Sequence, residues 1–143
     1  MGTDVRLDDA EARRRFAHSR VARLATVDDT TRPHIVPVVF VVIGQRIYSA
    51  VDAKPKTTRA LRRLANVRAN AAVSLLTDHY ADDDWGALWW ARADGDARVL
   101  SVDDPEAEAA IEALVKRYPQ YRVRRPDGPV LAVDVRKWSG WSA

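Results

Sequence analysis

VARLATVDDTTRPHIVPVVFVVIGQRIYSAV, residues 21–51, contains three extended stretches divided by two short turns. Residues 21–27 alternate apolar with polar, the period of a half-buried strand, and residues 28–33 are rich in turn formers, so a hairpin follows. The next run, 35–43, is apolar at both parities, which suits a strand inside a closed barrel or beneath another layer and predicts core. Gly44-Gln45 turns the chain again into a third strand over 46–51. Connections this short cannot hold the crossovers that parallel strands require, so the stretch reads as an antiparallel meander.

On the N-terminal side, Asp8 or Asp9 caps a short helix over 10–18 with Glu11 in its first turn. On the other side, Leu61, Leu64, Ala65 and Val67 fall at helical spacing in 55–68, with Pro55 suited to the first helical position. Residues 71–77 return to strand. A longer extended region, 88–101, carries Asp94-Gly95, read as a bulge in one bent strand in preference to a turn. A helix opens at Asp103-Asp104-Pro105-Glu106 and closes at Lys116-Arg117-Tyr118-Pro119, acidic at its start and basic at its end as the helix dipole favours. Residues 121–129 read as a loop and 130–135 as the last strand. The expectation is a mainly β chain forming one domain over 1–143: about six strands in an antiparallel barrel, with three appended helices.

At 143 residues there is room for one modest core and no separate substrate domain, so a second half of any active site must come from another subunit. The chain has no cysteine, which removes thiolate catalysis, iron–sulfur clusters and disulfides, and its three scattered histidines lack metal-ligand spacing. No stretch approaches the roughly 20 apolar residues of a membrane span, and residues 1–6 have no signal-type apolar core; a soluble, cytoplasmic protein without membrane contact is expected. The net charge is +3, with nineteen arginines against four lysines, yet no basic run interleaves with aromatics, so nucleic acid is not an expected partner. Gly-x-Ser-x-Gly, Gly-x-x-x-x-Gly-Lys and Gly-x-Gly-x-x-Gly are all absent, which takes support from hydrolase, NTPase and classical dehydrogenase readings.

Several residues break local rules. If Pro55 opens a helix, Lys54 and Lys56 lie at its positive end, where cations are disfavoured; a phosphate there would resolve the conflict, and the alternative is a solvated helix start with Asp52 as counter-charge. Pro37 cannot donate a ladder hydrogen bond and marks an edge or bulge where a planar ligand can reach backbone, next to His34 on one parity. Pro37 reads equally as a plain edge-strand residue, whereas His34 by itself reads first as a partly buried, hydrogen-bonded side chain. Trp85, Trp89 and Trp90 fall within six residues, and Trp138 and Trp141 sit near the C-terminus. So many tryptophans are hard to bury in one small core, and some are expected at a pocket or subunit seam. Asp82-Asp83-Asp84 lacks the interleaved spacing of a calcium loop and reads as solvated.

Together, residues 21–26, 33–38, 53–56, 62–66, Asp84-Trp85 through Leu88-Trp89-Trp90, and Trp138-Ser139-Gly140-Trp141 resemble the pyridoxamine-phosphate-oxidase-like class of coenzyme F420-dependent oxidoreductases. The resemblance implies a six-stranded antiparallel split β-barrel of the FMN-binding type and a homodimer with two sites at the subunit interface. It implies FMN or its deazaflavin analogue, coenzyme F420, as cofactor. By position, Lys54 and Lys56 match the phosphate-contacting residues, and Ser49, Ala50 and Val51 the strand before them. His34, Pro37 and Val38 fall on the strand approaching the ring, and Trp85, Trp89 and, from a partner subunit, Trp138 or Trp141 are candidate pocket walls. Neither the long insertion nor the C-terminal basic residues of true pyridoxamine phosphate oxidases occur, so that activity is not expected. The chemistry implied is hydride transfer from reduced deazaflavin to a small conjugated acceptor, with no catalytic side chain of covalent type and no metal. FMN-dependent turnover on the same fold, or binding of a flavin, deazaflavin or haem-like group without turnover, are the alternatives.

Overall fold

Each edge strand of the sheet is tied to the other by two residues. The computed structural model describes residues 5–51 and 58–143 and contains eight strands: β1 (Val5–Arg6), β2 (Ala22–Val27), β3 (Pro33–Val38), β4 (Val41–Ile43), β5 (Arg46–Ala50), β6 (Ala72–His79), β7 (Trp89–Leu100) and β8 (Val130–Ser142). The helices are α1 (Asp9–His18), α2 (Thr58–Ala69), α3 (Pro105–Arg117) and α4 (Pro119–Val123). All pairings are antiparallel in the order β3-β2-β6-β7-β8-β5-β4, with β1 added to β8. Strands β3 and β4 therefore end the sheet, yet only Val39 and Phe40 separate them. Two residues span less than about 11 Å between the flanking Cα atoms, so the sheet must curl until its ends meet, a barrel with an unpaired seam.

Packing at that corner explains why it holds. Phe40 is fully buried, and its backbone N–H donates to the Tyr118 phenol oxygen at 3.1 Å. The same phenol lies 2.8 Å from the Phe40 carbonyl and 3.0 Å from that of Arg20. Ser49 donates its hydroxyl to the Val39 carbonyl at 2.8 Å. Inside, Phe16 of α1 packs between Phe40 and Trp138, with ring centroids 4.9 and 5.4 Å apart, so that α1 plugs the barrel. Helix α1 is capped as its sequence indicates, Asp8 accepting from the Glu11 N–H at 2.8 Å. Helix α3 lays Ala107, Ala110 and Ile111 against Tyr48, Leu100 and Val130.

Residues 94–95 lie within one continuous strand, as expected in place of a turn, and the β7–β8 register shifts there, but the extra residue is Arg136 on β8 and β7 itself carries none. Glycine is required there, because a Cβ would fall on the Asp134 carbonyl. Other boundaries differ. The 35–43 run is two strands and a corner, and its outward positions are not core, Ile35 being 65% exposed. Strand β8 continues to Ser142 instead of ending at 135, and residues 121–123 of the expected loop belong to α4, which opens at Pro119 where the preceding helix was expected to close. Eight strands and four helices thus replace six and three; the class stands. The expected helix opening at Pro55 lies outside the described residues.

Between α3 and the sheet, Glu106 accepts from both terminal nitrogens of Arg98, at 3.1 and 2.9 Å, and from the Tyr48 phenol at 2.7 Å. Asp134 accepts from Arg98 Nε at 2.8 Å and from Arg46 at 2.9 Å. The Arg98 hydrogen bonds, then that of Tyr48, lower the Glu106 pKa to about 2. A carboxyl depressed in the folded state stabilises fully above its unfolded value and loses that contribution as pH falls through the folded one. Glu106→Gln should cost about 1–2 kcal/mol at neutral pH, and the gap from the parent in chemical-denaturation curves should close between pH 4.5 and 2. Tyr118→Phe, which leaves the buried corner groups of Phe40 unpaired, should cost about 1–3 kcal/mol in the same measurement.

Candidate functional site

Opposed residues of an antiparallel pair share a face, so the register fixes what stands together on the outside of the barrel. One row across five strands is Pro37, Arg23, Leu76, Arg92 and Ser139. The next is Asp78, Trp90 and Trp141. Among the described residues these rows stand open: α1 meets β7 and β8 from the opposite face, at Gly140 and Trp138, α2 reaches β2 through Asn66 and the inward Thr26, α3 packs on β4, β5 and β8, and Leu76 is 37% exposed. At the β6–β7–β8 end, Leu76, His79, Trp89, Trp90, Arg92 and Trp141 enclose an open groove of about 370 Å³.

Its walls are aromatic and its ornaments cationic. His79 stacks on Trp89 with centroids 6.4 Å apart and an interplanar angle of 18°. The Arg15 guanidinium lies 5.6 Å from the Trp89 ring, and that of Arg92 lies 5.5 Å from Trp90. Arg92 also pairs with Asp94 at 3.1 Å, which fixes its direction along β7. A planar aromatic ring would find here two indole faces, with cations at hand to complement an electron-rich edge. Ser139 Oγ, in the row beside Arg92, is buried without a hydrogen-bond partner.

The sequence-derived residues divide among four places. Trp141 lines the groove from the outer face, directly opposite Trp90, and Trp89, of the inward parity and packed against the core, borders it at the strand end, whereas Trp85 lies on a single 3₁₀ turn, 66% exposed, and does not line it. Trp138 is a correction. It is 5% exposed, packed on Phe16, and its indole N–H donates to Gln45 at 2.7 Å, so it belongs to the barrel core. The reason is parity: Trp138 and Trp141 are three positions apart on one strand and face opposite sides. The same rule separates His34 from Pro37, which do not share a parity as expected. Pro37 lies on the outer face of the edge strand β3, while His34 is half-buried opposite the buried Thr26, and Val38 is core. His34 lacks the hydrogen bond expected of a structural histidine at one nitrogen, for Nδ1 is buried with no partner.

Ser49 and Val51 are buried, with the Ser49 hydroxyl committed to the corner, and Ala50 borders a cavity with Tyr121. Lys54 and Lys56 lie outside the described residues. Sequence reasoning missed Leu76, His79, Tyr80 and Arg92; the signal available was the even parity of Leu76, Trp90 and Arg92 around adjoining strands. Among the described residues no three His, Asp or Glu side chains group as a metal site would need.

The family described as pyridoxamine 5'-phosphate oxidase matches residues 8–142. No curated protein matches significantly. Among solved structures, an FAD-binding protein from Mesorhizobium loti superposes with a TM-score of 0.74 at 19% identity over 98% of each chain. The FAD-binding protein of Mycobacterium smegmatis gives 0.64 at 16% identity over 99% of each. The haem storage protein of Vibrio cholerae gives 0.69 at 16% identity, covering 91% of this chain and 92% of that one. At these identities the structures speak for the fold, a split barrel of this family.

The opposite facing of the two C-terminal tryptophans yields a direct expectation. Trp138→Ala should destabilise the ligand-free protein by about 3–5 kcal/mol through a core cavity, and Trp141→Ala by less than half as much. Thermal unfolding of the two variants measures the difference.

Proposed function

The chain belongs to the pyridoxamine 5'-phosphate oxidase family, and from that premise we propose that it is an oxidoreductase using a phosphate-bearing flavin-type cofactor, coenzyme F420 in the first instance. The observation that carries the proposal is the uncovered aromatic groove between Trp89, Trp90 and Trp141, on a chain matched by the family from end to end. The groove fits a planar tricyclic ring in chemistry and openness, and the unpartnered His34 Nδ1 and Ser139 Oγ are polar atoms that a ligand or second subunit could satisfy. The combined resemblance of the chain to the deazaflavin-using class is what favours F420 over FMN; the lysines do not, since both cofactors carry the same phosphate.

In this reading Trp90 and Trp141 hold the ring with Trp89 at its border, Arg92 orients its polar edge, and Lys54 and Lys56 bind the phosphate. Such a cofactor, when bound, supplies hydride transfer to an electrophilic conjugated acceptor. The protein's share is to position, to exclude water and to keep the acceptor stacked. A second copy of the chain covers the outer face: Ile35, Pro37 and Leu76 are exposed apolar residues beside the groove, with Arg23 standing between Pro37 and Leu76, that a homodimer would bury.

Separate titrations with F420 and FMN, followed by absorbance and tryptophan fluorescence, test the reading. Saturable binding with F420 the tighter is expected. FMN binding more tightly overturns the choice of cofactor, and binding of neither overturns the function. Trp89→Ala should weaken binding by about tenfold. Lys56→Ala should weaken FMN by about tenfold or more while leaving riboflavin unchanged. Bound cofactor that reduces no acceptor in a broad screen would convert the proposal into one of storage, and a monomer by light scattering would remove the covered face.

A further inference from the structure

One ionisable side chain lining the aromatic groove has nothing to hold. Asp78 pairs with Arg23 at 3.5 Å, Arg92 with Asp94 at 3.1 Å, and the Tyr80 phenol donates to Asp82 at 2.8 Å. His79 ends β6 directly opposite Trp89, and among the described residues neither of its ring nitrogens has a hydrogen-bond partner. Its ring lies within 18° of parallel to the indole of Trp89. Both nitrogens lie in the plane of the imidazole, so they project along the border of the groove and not into the indole face. The charged neighbours are Asp78 beside it, Asp82, Asp83 and Asp84 on the loop that follows, Arg92 on β7, and Arg15 of α1, which lies against Trp89 and is tied to Glu11 at 2.7 Å.

Reduction of a conjugated acceptor by hydride calls for such a group. When hydride adds to one end of a C=C–C=O system, the displaced electron pair collects on the carbonyl oxygen, and a positioned acid completes the step. The other ionisable groups of the groove are unsuited to the task. An arginine does not release a proton in proteins, Asp78 is held by Arg23, and the Tyr80 proton is engaged by Asp82. His34, the other histidine with an unpartnered nitrogen, stands inward on β3 opposite Thr26 and does not line the groove.

We propose that His79 is the proton donor of the groove and that the acceptor is a conjugated carbonyl compound whose oxygen reaches the Trp89 border. This rests on the groove being the ring site of the proposed function. In the step, hydride supplied by the reduced deazaflavin forms a C–H bond at the β-carbon of the acceptor, and the C=C electron pair shifts to give an enolate. The imidazolium N–H bond breaks, its proton joins the enolate oxygen, and the resulting enol relaxes to the saturated carbonyl. Two electrons enter the acceptor as the cofactor is oxidised, and water returns a proton to the imidazole from the open side of the groove.

Naphthoate, a planar oxyanion standing in for the enolate, tests the donor without turnover. Calorimetry of the intact protein in buffers of different ionisation enthalpy, between about pH 6 and 8 where histidines ordinarily change charge, should show proton uptake on binding. His79→Gln should abolish the uptake and weaken naphthoate by about tenfold, whereas neutral naphthamide should bind both proteins without uptake. Absence of naphthoate binding, or uptake that survives in His79→Gln, overturns the proposal. With reduced F420 and cyclohexenone, His79→Gln should lower kcat by about a hundredfold at unchanged cofactor affinity, and imidazole in the buffer should restore part of the rate to His79→Ala. No reduction by the parent overturns the acceptor class; an unaltered kcat, or a loss that imidazole does not rescue, overturns the proton role. F420 binding with no His79-dependent proton uptake condemns this proposal alone, and failure to bind any flavin-type cofactor condemns the ring reading beneath it.

Discussion

The corner at Val39-Phe40 constrains everything else in the molecule. It joins the two edge strands of the sheet, and a two-residue link between edges forces closure regardless of what the other strands prefer. Closure buries a backbone corner that no ladder can satisfy, so its hydrogen bonds must come from side chains. Tyr118 supplies them from the end of α3, and Ser49 from β5. Arg117 stacks over both Phe40 and Tyr118, with its guanidinium 5.4 Å from each ring, and donates to the Ser19 carbonyl after α1. One aromatic residue thus ties three separate parts of the chain to a single point.

From that closure follows the division of the outer surface. Helix α3 must return to the corner to deliver Tyr118, and in doing so it covers β4, β5 and part of β8; the Arg98–Glu106–Asp134 network pins its start. Helix α1 plugs the barrel from within through Phe16, meeting the inward face of β8 at Trp138 and Gly140 and the start of β7 at Trp89. What remains uncovered is the outer face of β3, β2 and β6 with the far ends of β7 and β8. That is where Ile35, Pro37, Leu76, Trp90 and Trp141 stand. The arrangement that secures the barrel is therefore also the one that leaves these apolar residues in the open.

Much of this was legible in the chain. The meander of 21–51, the Asp8 and Asp104 caps and the unbroken strand through Asp94-Gly95 all rest on local chemistry, and local chemistry is what a sequence displays. The run 35–43 misled because two short strands and a buried corner, each apolar for a different reason, look identical to one core strand. Strand β8 was cut short because Arg136 and Lys137, polar outward residues, interrupt its apolar pattern before Trp138 resumes it. The glycine at 140 belongs to that strand because only hydrogen leaves room for Leu7 and the Trp90 carbonyl. The network of Arg98, Glu106 and Asp134 joins residues up to 36 positions apart, and no local pattern announces such a pairing. Of the candidate site, residue types were readable and faces were not, since the face of a tryptophan depends on a register set by distant strands.

That dependence on register has a consequence for how the site is held. On β7 and β8, successive residues serve the core and the groove alternately: Ala91 and Trp138 look inward, Trp90 and Trp141 outward. A one-residue slip would exchange the two sets and place polar Arg92 and Ser139 in the barrel. The register shift at Asp94-Gly95, where Arg136 of β8 is the extra residue, opposes such a slip, because its offset is matched to Asp134 and Val135 alone. Core packing at Trp138 and the aromatic wall at Trp141 are thus two readings of one register. The strand residues that wall the groove are therefore fixed in direction by the same pairing that packs the core.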